Sequence, residues 1–282
     1  MILLQTEVQR VVQMALEEDL PWGDVTTDTL IEKEWRSRGR VIAKAEGVIA
    51  GLSVMGCAFG MVDPATTFEA LCEDGARVAV GDVIAQVEGS AASLLRAERV
   101  ALNFLQQLSG IATLTARFVE AVGDLPCRII DTRKTTPGLR RLQKYAVRMG
   151  GGNNHRFALS DGVLIKDNHL ALLRNQGRSM KEAFADMRRR IPHGMKIEVE
   201  VESLAELTEA IEAGADIVLL DNMPPPQMRQ AVALVNGRAI TQASGGITLD
   251  TVRAAAESGV DLISVGALTH SAPALDLSLQ ME

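Results

Sequence analysis

Cationic side chains are concentrated between Arg128 and Arg156, although the chain as a whole is acidic. This segment contains eight Lys or Arg residues, one His and one acid, which gives it a charge of +7 in a chain of net charge −7. A focused positive cluster in an acidic protein is typical of a site for a small polyanion. A nucleic-acid surface would need a broad basic face and a high pI, whereas the pI here is about 5.3.

The cations of this cluster fall into two groups. Those that flank predicted turns are expected to bind a ligand: Arg133, Lys134, His155 and Arg156. Those at helical spacing fit a solvent-exposed helix face, the usual position of charge runs: Arg140, Arg141, Lys144 and Arg148. A short apolar run at 128–132 predicts a strand directly before the first group. Loops that follow strands in βα units commonly bind ligands.

Two carboxylates alternate with apolar residues at 197–201. This period of two places Glu198 and Glu200 on one face of a strand. Both faces of a parallel sheet are usually buried, and a buried carboxylate pair needs cations, a metal ion or protonation. Lys166 and Arg133 are candidate counter-charges, and Mg²⁺ is a further candidate because it prefers oxygen ligands. The alternative is an edge strand with one solvated face.

Two glycine turns suit the binding of phosphate. The segment 244–248 contains Ser244, Gly245 and Gly246 and leads into a predicted helix, and Gly266 lies in a second turn of this kind. Glycine permits close backbone approach, and a helix N-terminus offers N–H donors to an anion. A plain tight turn explains either segment equally well, but together they favour a phosphorylated ligand.

Regular alternation of strand and helix positions these residues. Strands are predicted at 128–132, 162–166, 196–201, 216–221, 238–243 and 261–265. Helices are predicted at 138–149, 179–191, 203–213, 225–235 and 249–258. This order indicates an α/β fold with a parallel sheet, and the candidate ligand-binding residues follow strand ends. Six units favour a TIM-type barrel, with a doubly wound sheet as the alternative.

The preceding part of the chain has a different pattern. An amphipathic helix is predicted at 5–20, a polar loop at 24–28, strands at 36–50 and 66–88, and a helix at 91–121 that Ser109 and Gly110 could interrupt. Arg96, Arg99 and Asn103 share one face of this helix, and their spacing alone favours solvent exposure.

Composition excludes several classes of protein. Aromatic residues are 3% of the chain, too few for base stacking, and no apolar run reaches the length of a membrane span. The first 20 residues lack a basic start and a small-residue cleavage site, so no signal peptide is expected. The three cysteines lack metal-type spacing and are expected to be reduced, in a cytoplasmic protein.

Eight segments give the chain a family resemblance. The chain closely resembles quinolinate phosphoribosyltransferases, also called nicotinate-nucleotide pyrophosphorylases (carboxylating). The matching segments are EEDLPWGDVTTD (17–28), ERVALNFLQQLSGIAT (98–113), DTRKTTPGLRRLQKYAVRMGGGNNHR (131–156), LIKDNH (164–169), IEVEVES (197–203), LLDN (219–222), ASGGIT (243–248) and VGALTHS (265–271). They lie in order along nearly the whole chain, so the resemblance is specific.

The resemblance implies an architecture. It implies an N-terminal α/β sandwich at 1–110 and a C-terminal open α/β (TIM-like) barrel at 111–270, with segment 271–282 packing back on the first domain. It also implies a homodimer, compatible with larger assemblies, in which Arg99 completes the site of the partner subunit. No nucleic acid and no membrane are expected as partners.

The resemblance also implies a reaction. Quinolinate and 5-phosphoribosyl 1-pyrophosphate (PRPP) would give nicotinate mononucleotide, pyrophosphate and CO₂ in de novo NAD synthesis, with Mg²⁺ as cofactor. The residues implied for quinolinate binding are Arg99, Arg133, His155, Arg156 and Lys166. Those implied for PRPP binding are Lys134, Glu200, Asp221, Ser244, Gly245, Gly246 and Gly266. Of these, Lys134, Glu200 and Asp221 would be catalytic, and Glu200 and Asp221 would hold Mg²⁺ together with PRPP.

Three alternatives share part of this pattern. A molybdenum-transport-associated paralogue would have an altered LIKDNH segment, which is intact here. A nicotinate phosphoribosyltransferase would need fewer carboxylate-binding cations, and a non-catalytic phosphosugar-binding protein would lack the charged strand ends. Asn153 and Asn154 lie beside the predicted site without an assigned role.

Overall fold

A computed structural model describes residues 3–282, which form two compact units. The first unit extends to Ala116 and also contains Lys134–Gly151 and Ala267–Glu282, and the second contains Arg117–Arg133 and Gly152–Gly266. Both units are made of separate chain segments, so they do not test the predicted domain boundary between residues 110 and 111. That boundary stays a prediction.

The helices and strands are defined as follows. The helices are α1 (Gln5–Asp19), α2 (Val25–Leu30), α3 (Leu52–Val62), α4 (Ala91–Val122), α5 (Arg140–Met149), α6 (Asp167–Asn175), α7 (Met180–Arg190), α8 (Leu204–Glu212), α9 (Pro225–Val235), α10 (Val252–Ala256) and α11 (Ala267–His270). The strands are β1 (Arg36–Ala43), β2 (Gly47–Val48), β3 (Thr67–Ala70), β4 (Arg77–Val78), β5 (Val83–Ser90), β6 (Arg128–Ile130), β7 (Val163–Ile165), β8 (Ile197–Val201), β9 (Ile217–Asp221), β10 (Ile240–Ser244), β11 (Leu262–Ser264) and β12 (Leu277–Met281).

The first unit is built on an antiparallel sheet. Its strand order is β12-β1-β5-β3, and β2 and β4 form a separate pair. Alternate side chains of β1, such as Val41 and Ala43, are fully buried, as expected for a sheet with one face on a core. The apolar stripe of α1 is also buried. The late strand β12 completes the sheet by pairing with β1, with Val41 opposite Leu279.

The long helix α4 is continuous, so the predicted interruption at Ser109 and Gly110 was wrong. Ser109 accepts a hydrogen bond from the backbone N–H of Ala50 at 3.0 Å. A Cβ at Gly110 would lie 2.0 Å from the carbonyl oxygen of Pro273. Both small residues therefore serve close packing of neighbouring chain segments and do not break the helix.

The second unit is an open barrel of six parallel strands. The strand order is β6-β11-β10-β9-β8-β7, so each strand from β7 to β10 lies beside its successor, and β11 lies beside β6. A doubly wound sheet would reverse direction at a switch point, which this order lacks. All six predicted strands are confirmed, and β6 and β7 flank the open seam. Because β8 lies between two strands, the edge-strand alternative for Glu198 and Glu200 was wrong.

Several local expectations were wrong. The segment predicted as a polar loop contains α2, because Asp24 caps this helix by accepting from the N–H groups of Thr26 and Thr27 at 3.1 Å. Lys144 was predicted on a solvated face, but it is fully buried in α5, a helix against which α11 packs. In contrast, the three cysteines are free thiols, as expected. Over residues 3–282, no helix combines the length and hydrophobicity that crossing a bilayer requires.

Candidate active site

The acidic part of the candidate site lies at the carboxyl ends of three neighbouring strands in the second unit. Glu200 lies on β8, Asp221 ends β9 and Ser244 ends β10. Asp221 and Ser244 are directly opposite in the register, and Glu200 is opposite Leu219. Parallel strands thus bring together residues that are far apart in sequence, at the edge where barrels of this type bind ligands.

The environment of Glu200 disfavours its charged form. Burial raises the pKa of Glu200, the charge of Lys166 opposes this rise, and the charge of Asp221 adds to it. Lys166 Nζ lies 3.8 Å from Glu200 Oε2, and the Lys166 side chain is 52% exposed. A second positive charge near Glu200 and Asp221 would therefore be stabilised.

Asn222 holds Asp221 in place. Its side-chain Nδ2 donates to Asp221 Oδ2 at 2.7 Å, and its backbone N–H donates to the carbonyl of Ser244 at 2.9 Å. Asn222 has a φ of +53°, a conformation that Asn tolerates better than most residues. Asn222 thus adds one side-chain and one backbone hydrogen bond at the ends of β9 and β10.

The glycine turn after β10 is packed against Asn222. Gly245 has a φ of +91°, and a Cβ there would lie 2.1 Å from Asn222 Oδ1. Gly246 has a φ of +60° and space around it. The next helix, α10, begins only at Val252, so the expectation that the turn leads directly into a helix N-terminus was wrong. Phosphate binding here would depend on backbone N–H groups of the turn itself.

The cationic part of the site starts at the end of β6. The backbone of Asn153 pairs with β6 at the open seam, in a bridge to Ile130. The buried carboxylate of Asp131 accepts from Asn154 Nδ2 at 2.7 Å and from the backbone N–H of His155 at 2.8 Å. The two asparagines therefore have a structural role: they fix the segment that presents His155.

His155 and Arg156 are held by different partners. His155 Nε2 lies 2.9 Å from Glu198 Oε2, and Glu198 is 4% exposed. Arg156 Nη1 donates to the carbonyl of Gly162 at 2.7 Å. Burial lowers the pKa of Arg156, the charge of Arg133 adds to this effect, and Glu198 opposes it. Two guanidinium groups within electrostatic reach of each other favour an anion beside them.

Two predicted site residues, Lys134 and Arg99, belong to the first unit. Lys134 is exposed on the loop after β6, and its carbonyl accepts from Thr269 Oγ1 at 2.8 Å. The same loop is held at Thr136, where Gln143 Oε1 accepts from the backbone N–H at 2.9 Å. Arg99 is exposed on α4. Its exposure matches the expectation from spacing and leaves the side chain accessible.

The donor set tests the expectation of Mg²⁺. Among residues 3–282, no group of three or more His, Cys, Asp or Glu side chains is arranged to hold a metal ion. Mg²⁺ is usually bound by one or two carboxylates together with substrate phosphates and water. Glu200 and Asp221 therefore fit a metal ion that arrives with a phosphorylated substrate.

Three residues that contribute to this geometry were not predicted as site residues: Asp131, Glu198 and Asn222. Glu198 had a signal in the sequence, since its alternation with apolar residues placed it beside Glu200. Asp131 was noted as the lone acid of the cationic segment. The left-handed backbone of Asn222 has no signal in the sequence beyond the residue type.

The chemistry of the second unit combines two charged regions. Arg133 and Arg156 suit a planar, dianionic molecule, because guanidinium groups bind carboxylates through paired hydrogen bonds, and His155 lies beside Arg156 in the chain. The carboxylates of Glu200 and Asp221 suit a positive charge that develops during reaction. A glycine turn at the same edge suits a phosphate group.

Comparisons with known proteins agree with these features. Two family models match, described as quinolinate phosphoribosyl transferase, N-terminal domain over 24–109 and C-terminal domain over 111–280. A probable nicotinate-nucleotide pyrophosphorylase (carboxylating) of Bacillus subtilis is 44% identical over 264 residues, covering 94% of this chain and 90% of the relative. One of the same name from Synechocystis is 43% identical, covering 96% of this chain and 91% of the relative. The crystal structure of NadC from Streptococcus pyogenes is 43% identical with a TM-score of 0.94, covering 100% of this chain and 99% of that chain.

Proposed function

The chain belongs to the quinolinate phosphoribosyltransferase family, and we propose that it transfers a phosphoribosyl group from PRPP to quinolinate with loss of CO₂. The products are nicotinate mononucleotide, pyrophosphate and CO₂, and the reaction belongs to de novo NAD synthesis. The observation that carries this proposal is the pairing of a cationic cluster with the Glu200 and Asp221 carboxylates at one edge of the barrel.

Quinolinate binds to the cationic cluster. Arg133 and Arg156 neutralise the two ring carboxylates, His155 contacts them, and Lys166, which lies 3.8 Å from Glu200, is a further cation for this site. Each charge-assisted hydrogen bond contributes about 1.5–3 kcal/mol. The ring nitrogen is then directed at the ribose carbon that is to be attacked. Two bound carboxylates distinguish quinolinate from nicotinate, which has one.

PRPP binds to the acidic strand ends and the glycine turns. The residues proposed to hold it are Lys134, Glu200, Asp221, Ser244, Gly245, Gly246 and Gly266. Glu200 and Asp221 would hold Mg²⁺ together with the diphosphate of PRPP, and such an ion would supply positive charge beside the leaving group.

The first chemical step forms the glycosidic bond. As the bond between the ribose carbon and pyrophosphate breaks, positive charge develops on the ribose, and the Glu200 and Asp221 carboxylates stabilise it. Lys134 neutralises the departing pyrophosphate. The ring nitrogen of quinolinate supplies the electron pair of the new bond, and no covalent enzyme intermediate is required.

The second step releases CO₂. The positively charged ring nitrogen withdraws electrons from the adjacent carbon, so the bond to the neighbouring carboxylate breaks and its electron pair stays on the ring. That carbon then takes up a proton from water, which completes nicotinate mononucleotide. The same cations that bind quinolinate must let one carboxylate leave while they retain the other.

The proposal extends to assembly and location. Arg99 is exposed on α4, and we propose that it reaches the quinolinate site of the partner subunit in a homodimer. A cytoplasmic location is part of the proposal, since the three cysteines are free thiols, as expected in a reducing compartment.

A coupled assay tests the reaction. The purified protein is incubated with quinolinate, PRPP and Mg²⁺, and nicotinate mononucleotide and CO₂ are measured together, with nicotinate as a parallel substrate. Both products in equal amounts from quinolinate alone support the proposal. Turnover of nicotinate only would contradict the assignment of the cationic cluster, and no turnover of either would favour a binding or transport-associated protein.

A further inference from the structure

Glu198 is a buried carboxylate to which the proposed reaction assigns no role. It lies on the same face of β8 as Glu200, one period closer to the start of the strand. Its side chain is 5% exposed, and its Oε2 lies 2.9 Å from His155 Nε2. Its Oε1 is buried and, among the described residues, has no hydrogen-bond partner.

This arrangement is unfavourable for stability alone. A buried carboxylate oxygen without a hydrogen bond loses its hydration without full compensation. Glutamine has nearly the same shape, carries no charge and would be less costly to bury. Packing therefore does not explain an acid at this position, and its contact with a predicted ligand-binding histidine offers a functional explanation.

The contacts of His155 indicate what the acid does. The backbone N–H of His155 is fixed by Asp131 at 2.8 Å, and its ring is fixed by Glu198 at 2.9 Å. A carboxylate can only accept, so at Nε2 it selects the ring form that carries a proton there and holds the ring in one orientation.

We propose that Glu198 is a positioning residue that orients His155 for binding quinolinate. Glu198 touches no substrate in this scheme, and it acts through the histidine. The inference rests on the proposed function, because it assigns quinolinate to the cationic cluster. It predicts that Glu198 affects binding of the dicarboxylate selectively, with little effect on PRPP.

The test compares Glu198→Gln with Glu202→Gln, in which an exposed acid just beyond the same strand loses its charge. Steady-state kinetics give kcat and the KM values for both substrates, and thermal unfolding gives the Tm. For Glu198→Gln we expect the KM for quinolinate to rise about tenfold, as for loss of a charge-assisted hydrogen bond. The KM for PRPP should change less than about twofold and the Tm should be unchanged or higher, because a buried charge is removed. Glu202→Gln should match the wild type.

A double-mutant cycle with His155→Asn tests whether Glu198 acts through the histidine. If it does, the two substitutions together raise the KM for quinolinate by little more than His155→Asn alone. Additive effects, an unchanged KM for quinolinate in Glu198→Gln, or equal losses for both substrates with a lower Tm would each overturn the inference. An inactive wild type in the same assay would instead refute the proposed function, so the two failures are distinguishable.

Discussion

At the scale of single residues, Glu200 has the environment that the proposed chemistry requires. Burial raises its pKa, and its carboxylate shares the strand ends with Asp221. A charge that is poorly solvated before reaction interacts strongly with a cation that forms beside it. Lys166 at 3.8 Å keeps a positive charge near this carboxylate in the absence of substrate.

Glu200→Gln should reduce kcat while leaving quinolinate binding nearly intact. Removal of one preorganised electrostatic group typically costs about 100-fold or more in kcat, and we expect a loss of this size with a KM for quinolinate close to that of the wild type. Steady-state kinetics at saturating PRPP measure both values. An unchanged kcat would rule out the role given to this carboxylate.

The raised pKa of Glu200 should appear in the pH profile. The proposed role needs the ionised form, so kcat should fall on the acid side at a pH above 4.5, the ordinary value for Glu. Lys166→Met removes a charge that lowers this pKa, and the acid limb should therefore move to higher pH. The profile is measured at saturating quinolinate, because Lys166 is also proposed to bind it. A limb that stays in place would show that Lys166 and Glu200 do not interact.

Residue types alone indicated much of the site. Arg133, His155 and Arg156 were recognised because cations next to turns are unusual for a solvated helix face. The partner of Glu198 could not be derived from the sequence, because His155 lies 43 residues earlier in the chain. Lys166 and Arg133 were equally suitable as counter-charges. Sequence pattern gives the charge that a buried group needs, whereas the fold selects which residue supplies it.

At the scale of elements, the glycine turn after β10 packs against the residue that follows β9. Gly245 has a left-handed backbone and lies against the side chain of Asn222, which in turn holds Asp221. The turn therefore couples the proposed phosphate-binding backbone to Asp221, one of the two carboxylates proposed to be catalytic.

Gly245→Ala should damage both stability and PRPP use. A non-glycine residue in this backbone conformation costs about 1–2 kcal/mol, and the new Cβ must also displace Asn222. We expect kcat/KM for PRPP to fall about tenfold or more, because small displacements of catalytic groups are costly. The matched control is Gly214→Ala, which has a φ of +86° and nothing within 4 Å. Equal effects of both variants on Tm and kcat/KM would contradict the coupling.

Strong periodicity made the barrel elements predictable, whereas short or capped elements were missed. The barrel strands contain apolar residues that are largely buried, such as Ile129, Val199 and Val218. Helix α6 begins at Asp167, inside a motif interpreted only as ligand-binding, and its start is held by a hydrogen bond from the backbone N–H of Lys166 to His169 Nδ1 at 3.0 Å. Strand β12 has five residues and depends on pairing with distant β1. A local pattern cannot reveal an element whose stability comes from a distant partner.

At the scale of the whole molecule, the position of Arg99 bears on assembly. An exposed arginine on a long helix is an ordinary surface residue in one subunit, yet the family resemblance assigns it to quinolinate. Both statements hold if the side chain completes a site on a second copy of the chain, and subunit mixing can test this.

Mixed dimers should recover activity that neither variant has alone. Co-expression of Arg99→Ala and Glu200→Gln with different tags gives heterodimers in which one of the two sites has both native residues. For random pairing, about a quarter of wild-type activity is expected in the total dimer population. Purification through both tags should enrich the active species, and assays of the tagged fractions measure the recovery.

The matched control mixes Glu200→Gln with Arg133→Ala, whose native residues both belong to the second unit. Every mixed site would then lack one of the two residues, so no recovery is expected. Recovery in this control, or none with Arg99→Ala in verified heterodimers, would contradict a shared site.

The pairing of early strands with late ones has a consequence for synthesis. β6 pairs with β11, and β1 pairs with β12, so each unit contains a strand whose partner is translated much later. Until β11 and β12 have left the ribosome, the edges of β6 and β1 that they pair with are unpaired. Unpaired strand edges are templates for incorrect pairing. Such long-range contacts also slow folding. We therefore expect the growing polypeptide to remain aggregation-prone until translation is nearly finished, and to depend on chaperones during that interval.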